Sequence, residues 1–237
     1  MIQLKLQDTN LIYIQILMND SQKGELWNKS LSLVSIINII VITYYYFNYK
    51  EKMDKQHTFM TILVMIYVYV CAIRSIWPRE EHGSLCFYDN IISTPIMGRS
   101  LATIAELSFV LFLVILTNTF LTDSLNITKI KNINYLIKTN LILFPLIFIA
   151  QLCCWIGVAT KRAGWNAIEE SLWSIFAILK IVIYSILLYY ISQKNTSNPK
   201  IKFLKTLLPI LIILYIIYGL YMICVDVPMY VNKSKKN

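Results

Sequence analysis

Glu106 is the one ionisable side chain in LATIAELSFVLFLVILTNTF, residues 101–120. A carboxyl group inside so apolar a run has two uses. It can exchange protons or hold a cation, or it can bind another helix through an ion pair or hydrogen bond. Arg99, Thr103 and Glu106 fall at i, i+4 and i+7, so one stripe of a helix carries all three. Asn166, Glu170 and Trp173 repeat the spacing later in the chain, and Lys180 follows in another apolar run. Lys180 is the cation expected at the depth of Glu106. If the two do not pair, each has to find other polar groups, because an unpartnered charge at mid-membrane costs about 2.5–3.5 kcal/mol on insertion scales.

Helix polarity sorts the remaining charges. A helix favours anions at its N-terminus and cations at its C-terminus. Arg74, closing the second apolar stretch, agrees with that rule and can extend its head outward. Glu169 is placed to complete a capping box in NAIE, Asn166–Glu169. Arg99 opposes the dipole in the first turns after Pro95, and Asp226 opposes it at the end of the sixth stretch. An Arg99–Asp226 pair would correct both, and guanidinium suits a bidentate carboxylate. Gln151 and Asn166 add neutral hydrogen-bonding groups. The candidate set is therefore Arg74, Arg99, Thr103, Glu106, Gln151, Asn166, Glu170, Lys180 and Asp226. Its expected arrangement is a polar cavity open to one membrane face, set against a purely structural network.

The elements that must position these groups follow from composition. Of 237 residues, 57% are hydrophobic, above the 45–50% usual for a soluble domain. Lipid rather than a protein core then solvates many side chains. Six continuous apolar stretches, near 30–48, 57–77, 95–121, 135–158, 166–192 and 204–227, are each close to the length of about 20 residues that spans a bilayer. Continuous runs exclude the alternating strands of a membrane barrel. The expectation is an all-α, polytopic transmembrane bundle of six spans, with a seventh only if Leu11–Met18 crosses. That segment is short, and residues 1–29 read as an interfacial amphipathic segment. Residues 30–230 then form a single transmembrane domain, and 231–237 a short basic tail. STP (Ser93–Pro95) should cap the third span, and Val227–Pro228 should stop the sixth. Pro145 and Pro209 fall inside spans.

Six crossings put both termini and the 78–94 and 159–165 loops on one face, here face A. The 49–56, 122–134 and 193–203 loops lie on the other, face B. Lysines and arginines number eleven toward A and ten toward B, and discounting those far from or inside spans favours B as cytoplasmic. The net charge of +9 is dispersed over short loops, which argues against nucleic acid as a partner. The expected partners are the bilayer and a small ion or polar ligand, in the plasma membrane or an endomembrane. Five cysteines without a CxxC pair, and two histidines on opposite faces, offer no metal site. They also offer no paired haem ligands, and no cofactor is indicated.

Three functions remain. The first is a transporter, channel or receptor-like protein for an ion, proton or small polar solute. The second is an intramembrane enzyme acting on a lipid or isoprenoid, and the third a purely structural membrane protein. The first two differ in depth profile. Catalytic groups converge where a lipid's reactive bond lies, whereas a path continues through polar residues to face B.

Overall fold

The computed structural model describes residues 26, 28–77, 94–128, 133–193 and 198–235. Leu11–Met18 and most of the polar loop after Arg74 lie outside them. Helix α1 covers 28–49 and runs into a 3₁₀ turn, Lys50–Lys52. It is followed by α2 (Lys55–Ile76), α3 (Pro95–Thr128), α4 (Ile133–Thr160), α5 (Ala163–Ser192) and α6 (Pro199–Tyr221). A π-helical turn, Met222–Asp226, leads into α7 (Val227–Ser234). Six helical segments are long and apolar enough to cross a membrane. The described residues contain no strand. The chain is an all-α, multi-pass membrane protein. Helices satisfy every backbone group within the segment, which is what a solvent without hydrogen bonds demands.

Helix starts carry capping side chains at three places, the first of them within the expected STP stretch. Thr94 Oγ1 accepts the Met97 N–H at 3.4 Å, with Pro95 next in the chain. Asn198 accepts the Lys200 N–H at 2.9 Å, again before a proline. Asp54 caps α2, accepting the His57 N–H at 2.7 Å and lying 2.9 Å from His57 Nδ1. The backbone N–H of His57, then its ring, hold the Asp54 carboxyl below the ordinary carboxylate range. A lowered folded value means the cap stabilises above the unfolded pKa of 3.8 and is lost as pH falls through the folded one. Thermal melts below about pH 4 should show this acid loss in the wild type, and Asp54→Asn, which keeps a capping oxygen, should flatten it.

Two ends depart from expectation. Helix α5 starts at Ala163 with Arg162 as its N-cap and no side-chain cap, so NAIE lies inside the helix and is not a capping box. The α4–α5 connection is too tight to leave room for one: Lys161 turns the chain in the left-handed region at φ 56°. Glu169 is consequently buried. Val227–Pro228 does not end the last span either. The Val227 N–H bonds back to the Met222 carbonyl, five residues earlier. Pro228 then sits in the first turn of α7, where a missing N–H costs nothing. Asp226 therefore lies within a continuous helical run, and the dipole argument for its misplacement does not hold.

The chain divides into two compact units, and α3 contributes its first turns to one and the rest to the other. The first unit joins α1 to α2 through Ser32 Oγ to the Ser75 carbonyl, 3.2 Å, and Thr43 Oγ1 to the Tyr69 hydroxyl, 2.7 Å. No described residue of α1 is buried. Its Leu33, Val34, Ile40 and Phe47 point outward, as suits a helix whose solvent is lipid.

The second unit holds the main core. Val110, Val114 and Leu121 of α3 pack with Leu143 and Ile147 of α4, Phe176, Ile183 and Leu187 of α5, and Leu204 and Leu208 of α6. Helix α5 is central, touching α4, α6, the π turn and α7. Small residues set the approach of its neighbours. Gly157 of α4 leaves room for the Asn166 amide of α5, and a Cβ added at Gly219 would lie 3.5 Å from that of Ala177.

Candidate functional site

Helix α5 turns one stripe inward: Trp173, Phe176 and Ala177, Lys180, Tyr184 and Leu187 are all buried. Lys180 is fully enclosed, at 0% exposure. Its Nζ donates to Thr117 Oγ1 at 2.7 Å, Asn140 Oδ1 at 2.9 Å and the Leu113 carbonyl at 3.2 Å. It also lies 5.7 Å and 5.6 Å from the ring centroids of Phe176 and Tyr184. An ammonium has three donors and no acceptor, and here three acceptors meet it. Hydrogen bonds to a charged group contribute about 1.5–3 kcal/mol each, so three of them offset much of the desolvation.

The acceptors are themselves held. Asn140 donates both amide hydrogens, to the Val114 carbonyl and to Asn118 Oδ1, each at 2.8 Å. That leaves its oxygen, and only its oxygen, toward Lys180. Thr117 Oγ1 also contacts the Leu113 carbonyl at 2.7 Å and the Tyr184 hydroxyl at 2.9 Å. The aromatic wall continues through Tyr215 of α6, whose ring lies 6.2 Å from Phe176 and 5.8 Å from Tyr184.

Glu106 lies elsewhere. Gln151 of α4, itself buried, donates from Nε2 to its carboxylate at 2.6 Å. Lys180 reaches α3 at Leu113 and Thr117 instead, with Thr117 about 16 Å further along the helix than Glu106. The expected match in depth fails in part because α5 starts at Ala163, before the stretch read from hydropathy, whereas α3 starts at Pro95 as expected. Toward the far end of α3, Lys200 Nζ meets Asp123 Oδ2 at 3.1 Å.

Among the other expected site residues, Arg74 is exposed in the last turn of α2. Arg99 is buried and belongs, with Thr103, to the first unit, whereas Asp226 belongs to the second. Asn166 packs its amide oxygen over Gly157. Glu170 is half-buried on α5, its carbonyl accepting from Ser174 Oγ at 2.9 Å. Gln151 with Glu106, and Lys180, are among the members the second unit builds into polar contacts. Thr117 and Tyr184 are functional-site neighbours that sequence reasoning missed. Tyr184 lies one helical turn after Lys180, and that spacing was the available signal.

Among the described residues no three of His, Cys, Asp and Glu group as metal ligands. Cys153 and Cys224 are free thiols. No known family model matches the chain, and no curated protein or solved structure matches it.

Proposed function

We propose that the protein binds or conducts an ion, a proton or a small polar solute within the membrane, along the second unit. One observation carries this reading: polar contacts recur along the length of α3. Glu106 meets Gln151, Thr117 meets Lys180 and Tyr184, Asn118 meets Asn140, and Asp123 meets Lys200. From Glu106 to Asp123 the helix rises about 26 Å, most of a hydrocarbon core of about 30 Å. A lipid-modifying enzyme would gather such groups at one depth. Spreading them over several levels favours transfer.

Purified protein in liposomes loaded with reporters for pH, potassium and chloride tests this under imposed pH and potential gradients. Glu106→Gln keeps an oxygen to accept from Gln151 and removes the titratable charge. Its thermal stability should stay within about 1 kcal/mol of wild type, one neutral hydrogen bond's worth, while flux falls. A Glu106→Gln protein that is unstable yet fully active when folded would make Glu106 a structural tie. A wild type that moves none of these species would sink the transfer reading.

A further inference from the structure

We propose that one end of the second unit binds an anionic phospholipid, its head group at Lys202 and an acyl chain along α6, an inference independent of the transfer reading above. Contacts between helices define this end. Lys200, in the first turn of α6, meets Asp123 of α3 at 3.1 Å, and Asn140 of α4 donates to Asn118 of α3 at 2.8 Å. Lys138 of α4 and Lys200, Lys202 and Lys205 of α6 therefore lie toward the same end. Among the described residues 118–128, 133–140 and 199–208, Asp123 is the one acid against these four lysines, which leaves a net charge of +3. Lys200 and Lys202 stand in the opening turn of α6, where a cation opposes the dipole, so helix stability does not account for them. Lys138 and Lys202 are exposed, and Asp123 is engaged by Lys200.

Charge alone would suit any anion. The surface next to Lys202 singles out an amphiphile. Lys202, Thr206, Ile210, Ile213 and Ile217 fall at i, i+4, i+8, i+11 and i+15, one stripe of α6. That stripe is turned away from the buried Ile201, Leu204 and Leu208, and Ile210, Ile213 and Ile217 are each more than half exposed. From Lys202 to Ile217 it runs about 22 Å, longer than the roughly 15 Å of hydrocarbon in one leaflet. Tyr135, in the first turn of α4, and Tyr189, in the last turn of α5, are strongly exposed. Tyrosines at helix ends favour the head-group level, which puts the neighbouring lysines at the depth of lipid phosphates. A soluble polyanion would meet the lysines and leave the stripe unused. A zwitterionic lipid would cover the stripe and leave the positive charge unbalanced. An anionic phospholipid does both.

Spin-labelled phosphatidylglycerol and phosphatidylcholine, each at trace level in phosphatidylcholine vesicles carrying the full chain, test the assignment. Their spectra give the relative association of anionic and zwitterionic lipid with the protein surface. The wild type should prefer phosphatidylglycerol. Lys202→Gln should lower that preference by about fivefold, the worth of one lysine beside a charged lipid surface, and adding Lys138→Gln should lower it further. Lys161→Gln, in the α4–α5 turn at the other end, should leave it unchanged. Salt at about 0.5 M should weaken the wild-type preference, because exposed charges are screened. Equal association of the two lipids with the wild type overturns the proposal. An unchanged preference in Lys202→Gln, or an equal loss in Lys161→Gln, overturns its placement on α6. Should Lys202→Gln fail to fold, a wild-type preference indifferent to salt overturns the head-group contact. Displacement of the labelled lipid by soluble glycerol phosphate at millimolar concentration would make this an anion site and overturn the part of the acyl chain.

Discussion

Asn140→Leu should destabilise the protein by about 3–5 kcal/mol, and Lys180→Met by less than about 1 kcal/mol, although the lysine carries the charge. Leucine at position 140 deletes the acceptor 2.9 Å from Nζ and the two donations to Val114 and Asn118. It leaves an ammonium enclosed at 0% exposure with two acceptors where it had three. Methionine at 180 instead removes the charge and fills the same space beside Phe176 and Tyr184. One amide oxygen loses a partner, at about 1–3 kcal/mol. The cost of a cation at mid-membrane, about 2.5–3.5 kcal/mol, is recovered. The double variant should lose less than Asn140→Leu alone, because the charge that made that change costly is gone. Reversible unfolding in detergent or bicelles measures all three. Equal losses for the two single variants, or a double variant with summed losses, would show that Lys180 and Asn140 are not energetically linked.

A second large effect is expected where α4 meets α5. Gly157→Val should cost about 2–3 kcal/mol, near the upper range for forcing atoms into a packed interior. The added Cβ would collide with Asn166 Oδ1, lying also 3.2 Å from Asn166 Cγ and 3.3 Å from Trp165 Cβ. Asn166 Oδ1 is the end of a side chain, but Asn166 Cγ and Trp165 Cβ sit close to the backbone of α5, so part of the relief has to come from the helices moving apart. Gly219→Ala is the control. Its Cβ would meet Ala177 at 3.5 Å, an ordinary contact, and stability should be nearly unchanged. Pairing Gly157→Ala with Asn166→Ala should relieve the clash that Gly157→Ala makes alone. A Gly157→Val protein as stable as wild type would mean that the α4–α5 contact is loose.

The six spans were legible because hydropathy is a local property, and each helix in lipid satisfies its own backbone. What was not legible depends on several elements at once. The partner of Lys180 is set by where α3 starts and stops and by the rotation of α4. Neither is recorded in the composition around residue 180. Thr117 and Tyr184 are residue types common in such helices and drew no notice. NAIE misled for a related reason. Its spacing is that of a capping box, yet the tight turn at Lys161 starts α5 three residues earlier. The Glu106–Lys180 expectation failed on depth alone. Both side chains did find polar partners, as the cost of isolation requires.

The π turn at Met222–Asp226 has a geometric meaning beyond accommodating Pro228. One residue of α-helix is about 100° of rotation and 1.5 Å of rise, so a wide turn acts as an angular offset inserted into an otherwise regular screw. Everything from Val227 to Ser234 is read in a rotational phase shifted from that of α6. A Cβ at Gly164 would stand only 3.1 Å from Ser234 Oγ, so the last turn of α7 is keyed closely to the start of α5. Removing a single residue between Met222 and Asp226 would remove the extra residue and the offset together and leave that key in its slot, whereas forcing the same residues into α geometry would rotate it away by about 100°. The irregular turn is thus the part of the last span that lets two regular helices, each wound correctly, present compatible faces to the same neighbour.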